Sequence, residues 1–207
     1  RDTQEYAAFS AADKAWFRKW LAFTDRHRKL LEKVRPIIHQ PMVGAVDGTA
    51  AIDGDRGFVF LFNPNMRRLS AEFSLDGSIG VSAGSRYVLR EIYPMDGRLV
   101  GGFHRRGSKV SVPLDGATAM VLELRPAPGA VTAPVLFKAP GKASLRDGVL
   151  TLQGVTGEPG QTVDLAVAVP PGSEVRSVSV NGRAARFTKQ GAEFAVPVAF
   201  AGDRFAK

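Results

Sequence analysis

From residue 10 to residue 35 the apolar positions recur at spacings of three and four. Trp16, Trp20, Phe23, His27, Leu30, Val34 and Ile37 fall on one stripe, which predicts a single long amphipathic helix. Ser10 with Asp13 forms a capping-box pattern at its start, the hydroxyl accepting from an exposed amide while the carboxylate reaches back. Pro36 lacks the amide for a helical bond and disfavours helical geometry at Arg35, so the helix is expected to end or kink there.

After Pro41 the period changes from 3.6 to 2. Phe58-Val59-Phe60-Leu61-Phe62 is a continuous apolar run, short enough for a strand buried on both faces, and Asn63-Pro64-Asn65 stops it. Leu69, Ala71, Phe73 and Leu75 alternate with Ser70, Glu72 and Ser74 as in a half-buried strand, and further strands are expected at 86–93, 98–103, 109–114 and 118–124. Arg125-Pro126-Ala127-Pro128-Gly129-Ala130 reads as a linker. Beyond it Val163, Leu165, Val167 and Val169 alternate, as do Phe194, Val196, Val198 and Phe200, and Val178 and Val180 lead into the hairpin pair Asn181-Gly182. Asx-Gly pairs beginning at 47, 53, 76, 96, 115, 147 and 181 are read as turns of antiparallel sheet. The expected fold is therefore mainly β: a helical segment (1–41), a first antiparallel β-sandwich-like module (42–126) and a second, smaller one (131–207).

Composition narrows this picture. An apolar content of 44% is too high for a disordered chain, and no apolar run reaches the ~20 residues of a membrane-spanning helix. No cysteine is present, so neither disulfides nor thiolate metal sites can form. The chain begins at Arg1, which reads as a piece of a longer polypeptide whose targeting information lies upstream. A secreted or periplasmic location is the expectation.

The net charge of +8 is dispersed: +4 over 1–41, +1 over 42–126 and +3 over 127–207. Nucleic-acid binding calls for a focused basic surface, so the cluster Arg26, Arg28, Lys29, Lys33 and Arg35 reads as a solvated helix face, with no nucleic-acid partner expected.

Candidate chemistry is sparse. His27, His39 and His104 match no metal-ligand spacing, and neither a metal nor another cofactor is expected. Gly80-Val81-Ser82-Ala83-Gly84 spells the letters of a nucleophile elbow, but that motif needs a strand before it and a helix after it, whereas strand follows here. Asp47, Asp53 and Asp55 could supply oxygen ligands to calcium, although turn aspartates bonding their own backbone are the simpler reading. For a sugar, Tyr87 and Tyr93 offer rings and His104 a polar neighbour; six residues apart on one strand, the two tyrosines are expected on one face. The second module has no Trp or Tyr. Trp16, Trp20 and Phe23 are candidates for packing against another module.

The order WFRKWLAFTDRHRKLL (16–31), RGFVFLFNPN (56–65), Arg90-Glu91-Ile92-Tyr93-Pro94 and Ala119-Met120-Val121-Leu122-Glu123-Leu124 resembles the tail of a bacterial α-galactosidase-like glycoside hydrolase. In that family a last TIM-barrel helix leads into a C-terminal antiparallel β-sandwich. The resemblance covers about residues 10–126 and is one of pattern; Val180-Asn181-Gly182 resembles a hairpin of bacterial extracellular β domains. The family's catalytic aspartates lie in the barrel, so none carries over. The resemblance implies a non-catalytic accessory region with an upstream catalytic barrel as partner, and no activity is expected of this chain by itself. A carbohydrate-binding module, with polysaccharide as partner, and a small esterase using Ser82 are the alternatives.

Overall fold

The computed structural model describes residues 6–38 and 42–202. Helix α1 (Ala11–Leu31) is capped by Ser10, whose hydroxyl accepts from the Asp13 amide at 3.1 Å while the Ser10 amide donates to the Asp13 carboxylate at 3.2 Å. The helix ends four residues before the expected stop. Glu32 is its C-cap, and Arg35–Pro36 already form a short strand, β1, pairing with Thr49 and Ala50. The Ile37 amide then bonds the Gly48 carbonyl at 3.0 Å. Ile37 thus leaves the helix stripe and packs on the sandwich core, while Val34 stays exposed. Pro36 forces extended geometry on Arg35, and the pairing of that segment with β2 leaves Glu32 to Val34 to turn the chain out of the helix.

The first β region holds β2 (Asp47–Asp53), β3 (Arg56–Asn63), β4 (Leu69–Ser74), β5 (Arg86–Tyr93), β6 (Leu99–Arg105), β7 (Lys109–Leu114) and β8 (Thr118–Pro126). A six-stranded antiparallel sheet runs β1-β2-β3-β8-β5-β6, and β4 pairs with β7 as a two-stranded layer. Inward residues such as Val59, Leu61, Leu89, Leu122 and Leu124 join Ala71, Phe73, Val110 and Val112 of the small layer in one core. The opposite face of the large sheet carries Phe58, Phe60 and Val121, and α1 lies across it. Helix, large sheet and small sheet make three layers.

Gly57 shows how tightly β2 and β3 approach. Its φ is +154°, and a Cβ there would sit 2.2 Å from the Ala51 carbonyl oxygen. No side chain fits that gap.

The second region has two four-stranded sheets built from β9 (Val135–Phe137), β10 (Lys142–Arg146), β11 (Val149–Gln153), β12 (Thr162–Ala168), β13 (Ser177–Val180), β14 (Arg183–Ala185), β15 (Thr188–Gln190) and β16 (Glu193–Ala199). Their orders are β10-β11-β13-β14 and β15-β16-β12-β9. Pairing is antiparallel except between β11 and β13, which run parallel. A separate core gathers Leu150, Leu152, Leu165, Val167 and Val196. Asn181 (φ 49°) and Gly182 (φ 80°) form the expected tight hairpin, and Asp147 (φ 49°) with Gly148 (φ 74°) forms another. Asp47-Gly48 is the exception among the Asx-Gly pairs, lying inside β2.

The connection between the regions starts later than the composition indicates. Strand β8 runs through Arg125 and Pro126, where Pro126 faces Tyr87 at the strand end and its missing amide costs the ladder little. Across the junction Phe103 meets Phe137 edge-on at 5.1 Å, Arg86 lies 3.8 Å from the Phe103 ring centre, and the Lys138 amide donates to the Leu99 carbonyl at 2.8 Å.

Replacing Phe58 by alanine is expected to cost about 3–5 kcal/mol, since it removes the ring on which both Phe23 and His27 of the helix pack. Trp16→Ala, at a half-exposed position, is expected to cost less than about 1 kcal/mol. Urea unfolding of both variants measures the contrast; equal losses would mean that the helix is not seated through Phe58.

Candidate functional site

Helix α1 touches the sheet through an aromatic keel. Trp20 meets Tyr93 edge-on at 5.7 Å and Phe23 at 5.2 Å; Phe23 and His27 each reach Phe58 at 4.8 Å. The ends of the helix are tied less directly, Lys33 just beyond α1 pairing with Asp53 at 2.6 Å. No residue of the 21-residue helix is fully buried. Its contact is narrow, and it leaves a groove on each side.

On one side an apolar trough of about 400 Å³ runs between Trp16, Thr24 and Leu31 of the helix and Phe60, Ala119 and Val121 of the sheet. Phe17 and Leu21, which share the helical ridge 17, 21, 24, 28 and 31 with Thr24 and Leu31 of the trough, are 40% and 52% exposed, and Trp16 is 51% exposed. The Trp20 indole N–H, shielded from solvent, has no acceptor among the described residues. On the other side a smaller groove of about 310 Å³ has Phe58 and Phe23 at its base and Lys19, Arg26, Arg90 and Arg125 at its rim. Asp96 and Glu123 already pair with several of these cations, Arg90 at 2.7 and 3.5 Å and Arg125 at 2.8 Å.

The residues proposed for packing against another module thus divide. Trp20 and Phe23 are turned onto the chain's own sheet, and Trp16 is presented to solvent.

The sugar candidates do not converge. Tyr87 is wholly buried, its hydroxyl donating to the Ala83 carbonyl at 2.5 Å, so its ring has no free face for a sugar. Tyr93 lies against Trp20 on the outer side of the sheet. Alternation alone would put the two rings on one face, but a β-bulge intervenes: Glu91 faces Leu122 while Tyr93 faces Val121, leaving Ile92 as the extra residue. His104 stands opposite Tyr87 in register, and its Nε2 bonds the Val100 carbonyl at 3.1 Å.

Ser82 follows a short 3-10 turn (Gly77–Ile79) and precedes β5, with its amide bound to the Gly54 carbonyl at 2.9 Å. It is exposed, and its hydroxyl has no histidine or carboxylate partner among the described residues. The calcium candidates scatter as well. Asp47 accepts from the Gly48 amide, Asp53 pairs with Lys33, and Asp55 lies 3.5 Å from Arg56. Among the described residues no three carboxylates or imidazoles gather as a metal set. His39 lies outside the described residues. No described helix is long and apolar enough to cross a membrane.

A second site was not singled out from the sequence. Glu91 is a fully buried carboxylate on β5; one oxygen accepts the Met95 amide at 2.8 Å and the other accepts from Arg98 Nε. Burial pushes its carboxyl up from the ordinary 4.5, the Arg98 charge and the bonds from Met95 and Arg98 pull down, and Glu158 pushes up further. Desolvation therefore outweighs pairing. A cleft of about 290 Å³ adjoins this pair, lined from the first region by Arg68, Pro94 and Asp115 and from the second by Glu158 and Gln161. The sequence signal for it is a glutamate in the alternating row Tyr87, Leu89, Glu91, whose other members are apolar or aromatic.

These features define a mostly β chain with one helix resting on a sheet, an apolar trough beside the helix, and a polar cleft where the two cores meet. No protein-family model and no curated protein matches the sequence. Among solved structures, one from Bacillus halodurans C-125, described as a candidate alpha-N-acetylgalactosaminidase, is similar at 17% identity with a TM-score of 0.34. The match covers 45% of this chain and 21% of that one, so this chain spans only about a fifth of that protein.

Glu91 gives a pH signature with a definite sign. Its folded value lies above the unfolded one, so its contribution to stability is fully present below about pH 4.5 and is lost as pH rises through the raised value. Glu91→Gln keeps the shape and cannot ionise. Urea midpoints followed from about pH 4 to about pH 8 should lose this downward component in the variant. The same slope in both proteins would mean that Glu91 does not titrate differently on folding.

Proposed function

We propose that this chain is a non-catalytic accessory region of a carbohydrate-active enzyme, held against a catalytic module through the trough beside α1. The observation that carries the packing role is the set of Trp16, Phe17 and Leu21 standing in solvent beside a further apolar wall of Phe60, Ala119 and Val121. Water there meets an apolar surface that a packed module would bury, at roughly 25 cal/mol per Å².

Charge indicates what kind of surface fits. Lys14, Arg18 and Arg28 share a helical ridge with Leu21, since 14, 18, 21, 25 and 28 follow spacings of four and three, and Asp25 is the ridge's one acidic member. A matching face would be apolar at its centre and acidic at that edge; a second copy of this basic ridge would repel it. The carbohydrate part of the reading is supported by the resemblance in the order of pieces, a helix followed by an antiparallel sandwich.

The purified chain should turn over no aryl glycoside and no p-nitrophenyl ester, and Ser82→Ala should change nothing. Turnover that a single substitution within the chain abolishes would overturn the reading. Leu21→Glu and Phe17→Glu should each lower binding of an apolar fluorescent dye by the native chain at unchanged melting temperature. Undiminished dye binding would remove the trough as the docking surface.

A further inference from the structure

The cleft between the two cores has features that packing alone does not require. A buried carboxylate is costly, and an apolar residue of similar volume at an inward strand position is often as stable or more so. Here Glu91 is wholly buried and fixes Arg98 through Nε, so that the guanidinium stands in one orientation at the cleft. Its two terminal nitrogens have no partner among the described residues. Arg68 is placed by a 3.5 Å contact between its Nε and Asp115. From the other region, Gln161 donates to Glu158 at 2.5 Å, which orients both side chains. The Gln161 carbonyl also accepts from the Phe200 amide at 2.8 Å, anchoring that stretch of backbone.

The mixture of groups selects the ligand chemistry. Two guanidinium groups face three carboxylates, Glu91, Asp115 and Glu158. With Arg98 paired to Glu91 and Arg68 to Asp115, the surplus is the single charge of Glu158, which repels a phosphate or carboxylate, while an ammonium has no acceptor for the guanidinium N–H groups. Neighbouring hydroxyl groups suit both kinds of side chain at once, donating to a carboxylate while accepting from a guanidinium. Pro94, Met95, Pro113 and Met120 add apolar wall for the C–H face of a ring. At about 290 Å³ the cleft is at the small end of ligand sites, enough for one ring.

We propose that this cleft binds a single neutral sugar ring, with Arg68, Arg98, Glu158 and Gln161 as the hydrogen-bonding groups. The site takes groups from both β regions, so binding couples the two. It stands on the chemistry of the cleft and is separate from the trough beside α1; either can fail without the other.

Saturation-transfer NMR on the whole chain with methyl galactoside, methyl glucoside, methyl mannoside and N-acetylgalactosamine, against galacturonate and glucosamine, tests it. At least one neutral ring should bind saturably with a Kd of about millimolar or tighter, and the two charged sugars about tenfold more weakly. Gln161→Ala and Arg68→Ala should each weaken that binding about fivefold or more at an unchanged melting temperature. Should Arg68→Ala loosen its loop, Glu158→Gln, which keeps the shape, gives the same readout. Binding of no neutral ring overturns the proposal, as does binding that all three variants leave intact or a preference for either charged sugar.

Discussion

A strand with apolar side chains on both sides needs cover on both, and Phe58 to Leu61 places that demand on an inner strand of the large sheet. One side is met by the sandwich core, where Val59 and Leu61 pack with Phe73 and Val112. The other is met by α1, and the manner of meeting it determines the rest of the surface. The helix covers Phe58 with Phe23 and His27, and Tyr93 with Trp20. It does not cover Phe62, which remains 43% exposed farther along the same face. A cylinder resting on a twisted sheet makes contact along a narrow line, so grooves on both sides follow from the geometry.

The two grooves then differ because the helix differs around its circumference. Positions 17, 21, 24 and 31 turn one wall apolar, while 19 and 26 make the other cationic. The cationic side is partly settled within the chain, since Asp96 and Glu123 pair with Arg90 and Arg125 of the adjoining strands. The apolar side has no ion pair among the described residues, and the Trp20 indole N–H, on the ring that lines both grooves, has no acceptor among them. This asymmetry leaves the trough apolar and open, while the basic groove is lined by ion pairs.

Most of the fold could be read in the residues because its signals are local. The Ser10 cap, the alternation in 69–75 and 194–200, and the Asn181-Gly182 turn each depend on neighbours a few positions away. Failures came where tertiary pairing competes with local preference. Asp47-Gly48 has turn chemistry, yet Gly48 lies in β2, paired with Leu61 and accepting from the Ile37 amide, at a point where Ile37, Ile38 and Leu61 leave little room for a side chain. Ile37 fits the helical period, yet the Gly48 carbonyl draws it into the sheet. The candidate site suffered most: one extra residue at Ile92 reverses the parity that would have put Tyr87 and Tyr93 together.

That same bulge connects the two sites. With Glu91 inward and Tyr93 outward, one short stretch of β5 sends a carboxylate towards the polar cleft and a ring towards the helix. In unbroken alternation over the same residues, Tyr93 would fall on the inner face with Glu91, and Trp20 would lose its edge-on partner on the sheet. Of the aromatic keel, only the contacts to Phe58 would then remain. The bulge is better understood as a positioning device than as an irregularity: it lets a single strand supply the helix keel on one face and the anchor of Arg98 on the other.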